Sequence, residues 1–333
     1  MVLMAQHSGT TVSSVPLRGY HGYYQFFFQA MGTLCEIVFS SSSHAQAETF
    51  KQKALSWVGE FEARYSRFLE PSLVSRINRN AGGDWVDVDR RTEEIFAMCD
   101  WFHWTTHGVF DPTLGPLVLL WDYHNPAFIP PSDLQVEAAL EKVGWSRIRR
   151  EPGRVRLPAA GMSLDLGGIG KEYAVDQVVN LATSFGIKNI LVNFGRDLRV
   201  AGEPPERGAW RIGLEKPDDP GRCWGGVYLN EGAVCTSGDY ARYVEVDGKR
   251  YGHIIDPRSG YPVRHDARSV SVITGTCTEA GLLATTAFVL GPEHGMNFLS
   301  GQYTAEGCMW TDNGLFETRR FSKYVLKNEN SAV

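Results

Sequence analysis

Leu164 to Asp176 reads L-D-L-G-G-I-G-K-E-Y-A-V-D. Adjacent glycines, a third glycine and a lysine stand where a loop turns into a helix. From Tyr173 onward the apolar residues Val175, Val178, Val179, Ala182 and Phe185 recur at helical spacing. A glycine loop that opens a helix leaves backbone N–H groups unpaired at the positive end of the helix dipole, a ready seat for phosphate. The plainer reading is a glycine-rich turn between strand and helix with a solvated lysine.

Outward from this stretch, the 333 residues carry 43% hydrophobic and 21% charged side chains, as an ordinary globular chain does. The net charge of −5 offers no broad attraction to nucleic acid or anionic lipid. No run approaches the roughly 18 apolar residues that span a bilayer. Met1 to Gln25 lacks the basic start, apolar middle and small-residue cleavage site of a secretory signal, and contains no cysteine for a lipid anchor, so the expected location is cytoplasmic. The six cysteines are scattered without a C-x-x-C pair, against a zinc cluster or disulfide framework; most are expected to be buried small hydrophobes.

The pattern predicts a flexible lead-in over 1–22 and a single domain, with room for two lobes, over 23–327. Strand is expected over 23–40, broken at Met31-Gly32-Thr33, then helix over 44–65. A second helix over 92–107 is capped by Thr92. Ser132 caps a short helix, and a hairpin turns at Pro152-Gly153. After the glycine loop and its helix, short strands crowd the chain, among them 241–247 and 250–256. Helices at 277–290 and 292–300 follow, then two or three strands. Strands in runs with helices between them favour α+β, built largely of antiparallel pairs, over a doubly wound parallel sheet.

Three further segments carry chemistry. Gly108-Val109-Phe110-Asp111-Pro112-Thr113 presents an aspartate held extended by the following proline, either toward a ligand or in an Asx-turn. Tyr251 to Pro262 contains His253, which can serve as general acid or base near neutral pH, and Arg258, which can clamp a phosphate. On a strand, His253 and Asp256 would face opposite sides. Thr236-Ser237-Gly238-Asp239-Tyr240 offers hydroxyl and amide donors to an anion or forms a plain hairpin turn. No G-x-S-x-G elbow accompanies Ser237.

The order of the segments says more than any one. Met31-Gly32-Thr33, Ser66-Arg67-Phe68, Ser75 to Asn78 and Gly108 to Thr113 precede Asp165 to Asp176. Asn193-Phe194-Gly195, Thr236 to Tyr240, His253 to Gly260, Ala284-Thr285 and Leu290-Gly291 follow. Over residues 26–310 this resembles the ApbE family of FAD:protein FMN transferases. The resemblance implies an α+β fold of mostly antiparallel sheets with packed helices, ApbE-like and T-fold-like. It implies binding of FAD as substrate with Mg2+, cleavage of the pyrophosphate, and transfer of FMN to a threonine hydroxyl of an acceptor protein, such as a subunit of an electron-transfer complex. Hydrolysis of FAD to FMN and AMP, or flavin binding without turnover, are the alternatives. By family position Met31, Phe68, Phe110, Asp111 and Pro112 would line the flavin or adenine pocket, with Gly167, Lys171, Tyr173 and Arg258 beside the FAD. His253 would activate the acceptor hydroxyl, with Asp256 as the second catalytic group. Gly170, through its carbonyl, Thr285 and position 281 would hold the metal.

Three positions depart from the family pattern. An Asp-x-x-x-Thr pair on one helix face normally grips the ion, but here Thr285 is preceded by Gly281. Losing that carboxylate is expected to weaken Mg2+ binding, and a gain of activity in Gly281→Asp would locate the defect there. Asp239, Asp256, Glu172 and Glu279 are the candidate replacements. Glu172 stands where glycine is usual, and Arg196 replaces the second glycine of Asn-x-Gly-Gly.

Overall fold

Alternation of apolar and polar residues builds the centre of the molecule. On β3, Cys35, Ile37 and Phe39 point inward and are fully buried, while the residues between them are not. The computed structural model describes residues 15–122, 125, 128–206, 208–219 and 221–325. In chain order, β1 (Arg18–Tyr20), β2 (Tyr23–Ala30) and β3 (Thr33–Ser40) lead to α1 (His44–Tyr65), α2 (Leu73–Arg79), β4 (Val86–Asp87) and α3 (Arg90–Thr105). Then come α4 (Gly115–Leu120), α5 (Asp133–Leu140), β5 (Arg149–Glu151), β6 (Arg154–Arg156) and α6 (Gly170–Ser184). β7 (Ile190–Phe194), β8 (Asp197–Ala201), β9 (Trp210–Glu215), β10 (Cys223–Leu229) and β11 (Glu231–Gly238) follow. β12 (Tyr243–Val246), β13 (Lys249–Gly252), β14 (Ala267–Thr274), α7 (Cys277–Ser300), β15 (Glu306–Thr311) and β16 (Gly314–Glu317) complete the chain.

Nine strands form one sheet in the order β1-β2-β3-β7-β8-β11-β14-β15-β16, every neighbouring pair antiparallel. The fold is α+β. One face is covered by helices: Phe50, Ala54, Val58 and Phe61 of α1 and Ala174, Val175 and Val178 of α6 meet Phe26, Ile37, Phe39 and Val192. Farther along, Leu283, Ala287 and Phe288 of α7 pack on Val270 and Val272. The β9–β10 hairpin covers the opposite face, with Ile212, Leu214 and Val227 against Leu198, Val200 and Val234. A smaller core under α4 and α5 joins Leu117, Trp121 and Val136 to Tyr251 and Ile255. Among the described residues no helix is long and apolar enough to cross a membrane.

Several expected boundaries move. Of the lead-in expected over 1–22, residues 1–14 lie outside the described residues; over 15–22, β1 pairs with β2, and Val15 is buried, its carbonyl accepting from Lys51 Nζ at 2.8 Å. The cap of α3 is Asp89, not Thr92. Asp89 Oδ1 accepts from the Thr92 N–H at 3.0 Å and its hydroxyl at 2.6 Å, so Thr92 lies inside the first turn. The two expected C-terminal helices are present, broken where expected at Gly291 (φ 78°, ψ −179°, outside the helical region) before Pro292, and α7 carries both. β13 ends at Gly252, so His253 and Asp256 lie in the loop beyond it and strand periodicity does not govern them. Of the six cysteines, five are buried and Cys223 is exposed.

Two tight turns sit side by side at one end of the sheet. Met31 (φ 51°) and Gly32 (φ 71°) close the β2–β3 hairpin; Gly195 (φ 64°) and Arg196 (φ 79°) close β7–β8. Paired positive φ values match the right-handed twist of the strands. The Gly195 N–H donates to the Leu34 carbonyl at 3.1 Å, tying the turns together. Met31 and Arg196 are strained there, since a side chain disfavours this region. The C-terminal end of β11 and the start of β14 reach the same end of the sheet.

Candidate active site at one end of the sheet

The glycine loop is held by its own aspartate. Asp165 Oδ1 accepts from the Gly167 N–H at 2.7 Å, and the Asp165 N–H donates to the Pro112 carbonyl at 2.8 Å. Asp165 Oδ2 pairs with Arg67 Nε at 2.9 Å, and the Arg67 guanidinium lies 4.1 Å from the centre of the Phe68 ring. Phe68 is 71% exposed, an unusual state for a phenylalanine. A Cβ on Gly168 would lie 3.6 Å from Phe110 Cε2, so Phe110 packs on the loop. α6 then starts without a side-chain cap. Arg67, Phe68, Phe110, Pro112 and Gly167 thus converge around the loop from segments far apart in the chain.

Asp111 turns inward. Its Oδ1 accepts from the Thr113 N–H at 2.8 Å and hydroxyl at 2.5 Å, and Oδ2 from the Trp145 N–H at 3.0 Å. This is the Asx-turn form of the segment, which fixes the loop carrying Phe110 and Pro112. Tyr173 is also inward, its ring 5.6 Å from Phe61 and 6.4 Å from Trp57. Met31 is tethered to α1 through its N–H, which donates to Glu62 Oε1 at 2.8 Å.

The first turn of α6 carries a buried charge cluster. Lys171 Nζ pairs with Asp197 and lies 3.0 Å from Glu172 Oε1. Burial is the largest single influence and lowers the pKa of Lys171, but the surrounding groups, Glu172 first among them, together turn the net shift upward, so the ammonium stays charged. Glu172 is 7% exposed, and its Oε2 is buried with no hydrogen-bond partner among the described residues. Two carboxylates against one ammonium leave a buried negative charge, which is costly unless a cation neutralises it.

α7 crosses α6 beside this cluster. Asp176 accepts from the Cys277 N–H at 2.9 Å, the Thr278 N–H at 2.9 Å and the Thr278 hydroxyl at 2.6 Å, and pairs with Arg199 at 3.0 Å. It therefore caps α7 from a neighbouring helix. One turn back along α6 and one turn on along α7, Glu172 meets Gly281. Thr285 is a further turn along α7, where its Oγ1 lies 2.8 Å from Ser237 Oγ at the end of β11. Carboxylate, hydroxyl and backbone carbonyl are hard oxygen donors, the set that suits Mg2+. Among the described residues no group of three or more His, Cys, Asp or Glu side chains gathers as a metal site, so such an ion would draw on these mixed donors.

His253 lies just past β13. Its Nδ1 is 3.2 Å from the Arg242 carbonyl, which also accepts the His253 N–H at 3.1 Å. A Cβ on the preceding Gly252 would meet Asp239 Cβ at 3.2 Å, so this segment packs on the chain just after Ser237. Asp256 and Arg258 engage each other: Oδ1 accepts from the Arg258 N–H and Nε at 2.9 Å each, and Oδ2 from Nη2 at 2.7 Å. Ser237 is among the donors expected from its segment, whereas no role is expected for Asp197, Glu62 or Asp176 from sequence. Asp197 stands beside a quoted motif and Asp176 closes one. Glu62 belongs to a helix pattern indistinguishable from a solvated face.

The sequence profile of the ApbE family matches residues 31–309. The FAD:protein FMN transferase of Treponema pallidum is 32% identical over 281 residues, covering 79% of this chain and 77% of that protein. The crystal structure of the ApbE protein of Thermotoga maritima superposes with a TM-score of 0.84 at 32% identity, over 92% of this chain and 100% of that one. The flavin transferase ApbE from Vibrio cholerae does so with a TM-score of 0.81 at 27% identity, over 93% and 100%.

Proposed function

The chain belongs to the ApbE family, and on that premise we propose that it transfers FMN from FAD to a threonine hydroxyl of an acceptor flavoprotein, with Mg2+, and releases AMP. The observation that carries this reading is the meeting of the glycine loop, the exposed Phe68 and the buried charge cluster of α6 at one end of the sheet.

In this reading the start of α6, which has no side-chain cap, faces the pyrophosphate, where the positive end of the helix dipole balances phosphate charge; the Gly167 and Gly170 N–H groups are already bonded within the loop. Phe68, backed by Arg67, offers a face for an aromatic ring of FAD. The acceptor threonine Oγ attacks the phosphorus of the FMN half; the bond from that phosphorus to the bridging oxygen breaks, and AMP leaves carrying the bridging oxygen. The hydroxyl proton passes to His253. Donation of its Nδ1–H to the Arg242 carbonyl would place the basic lone pair on Nε2. The Gly170 carbonyl, the Thr285 hydroxyl and a buried carboxylate would hold Mg2+. When bound, the ion neutralises charge on the phosphate oxygens and the departing AMP. Asp256 and Arg258 shape the loop that carries His253. The acceptor is a threonine-bearing protein, with a subunit of an electron-transfer complex as the favoured class.

Incubation with FAD, Mg2+ and a threonine-bearing acceptor tests the proposal. AMP by chromatography together with a fluorescent acceptor band is the expected result. AMP with free FMN and no labelled band would make the protein a pyrophosphatase. Retained FAD without AMP would make it a flavin-binding protein. Phe68→Ala is expected to weaken FAD binding about tenfold, ~1.4 kcal/mol, in a flavin fluorescence titration. The melting temperature should hold, because the ring is exposed.

A further inference from the structure

The two departures at 172 and 281 meet in space. A Cβ built on Gly281 would lie 2.6 Å from Glu172 Cγ, 3.2 Å from Cδ and 3.3 Å from Oε1. The Glu172 side chain therefore fills the volume into which any side chain at 281 would project. Glycine inside a helix costs about 1 kcal/mol relative to alanine, and close approach of Glu172 is the reason for one here. Two of the other candidate carboxylates are engaged elsewhere: Glu279 accepts from the Thr304 hydroxyl at 2.7 Å and Asp256 is forked by Arg258. Asp239 faces Arg268 through Oδ2 at 3.7 Å and also has a buried oxygen, Oδ1, without a hydrogen-bond partner among the described residues, but it does not meet position 281. Among the described residues, Glu172 alone combines contact with position 281, near-complete burial and an oxygen, Oε2, that has no hydrogen-bond partner.

We propose that Glu172 supplies, from α6, the carboxylate ligand of the metal site, and that Gly281 on α7 is the space that admits it. The negative charge has been moved across the helix–helix contact rather than lost. Lys171, on Oε1, is a positioning residue that turns Oε2 toward the site. The inference rests on the metal-dependent reading above.

It is tested by titrating Mn2+ into the full-length chain, with and without saturating FAD, and reading free Mn2+ by electron paramagnetic resonance. Glu172→Gln keeps the side-chain volume and is expected to weaken Mn2+ binding at least tenfold, with FAD affinity in the absence of metal no weaker than in the parent, since a negative charge beside the phosphates is removed. Gly281→Asp alone is expected to lower the melting temperature and leave Mn2+ binding no better than in the parent, because its Cβ overlaps Glu172. The pair Glu172→Gly with Gly281→Asp is expected to recover most of the affinity lost in Glu172→Gly alone. Parent-like Mn2+ affinity in Glu172→Gln would overturn the proposal and reduce Glu172 to a partner of Lys171. Loss in Asp239→Asn but not in Glu172→Gln would move the ligand to Asp239. A parent chain that transfers FMN without binding Mn2+ or needing Mg2+ would sink the metal reading itself; one that binds Mn2+ through Glu172 yet transfers nothing would sink only the transfer reading.

Discussion

Replacing His253 by glutamine is expected to slow AMP release and acceptor labelling by about 10²–10⁴-fold, the usual range for loss of a general base. The dissociation constant for FAD should stay within about twofold. The split follows from location. His253 lies on the loop after β13, fixed by the Arg242 carbonyl, whereas the glycine loop and Phe68 are held by Asp165 and Arg67 on separate segments. Single-turnover labelling read alongside a fluorescence titration separates the outcomes. Parallel loss of affinity and rate would make His253 a binding residue and remove it as the base. An unchanged rate would place proton removal elsewhere.

Asp176→Ala is expected to cost about 3–4 kcal/mol of stability, read from the urea midpoint. Its carboxylate satisfies two N–H groups and a hydroxyl at the start of α7 and pairs with Arg199. Truncation leaves all of these buried and unmatched, adding a lost helix cap to a broken buried ion pair. Arg258→Ala should cost under about 1 kcal/mol, since the Arg258 side chain is 53% exposed and solvent screens its pair with Asp256. Equal destabilisation by the two variants would overturn this account of how α7 is held. Asp176→Ala should also lower metal affinity, because the same contact sets the register that brings Glu172 to Gly281.

Much of the site was legible because its parts are local. Turns and loops declare themselves through glycine, proline and aspartate within a few residues, and so the segments at 31–33, 108–113 and 165–171 could be read one at a time. The cap of α3 was misplaced by a turn because Asp89 and Thr92 are both good caps. Only the hydrogen bonds from Thr92 back to Asp89 decide between them. The sequence around Asp111 suits a ligand-facing carboxylate or an Asx-turn equally, and the choice needs Trp145, whose N–H arrives from a distant segment. Strand length misled at His253, since β13 stops one residue before it.

By itself the sequence established that Leu164 to Asp176 is a loop that opens a helix, because backbone conformation and periodicity are written in neighbouring residues, and the order of the motifs around it. It also posed Glu172 and Gly281 as two unrelated departures, one an intrusive charge and the other a missing one. Only the tertiary structure decided that they meet in space. Asp176 clamps α6 to the first turn of α7, and one turn farther along each helix the surplus carboxylate of one lies in the empty volume of the other. Which residues oppose one another across two packed helices depends on their register, and register is set by contacts between residues far apart in the chain.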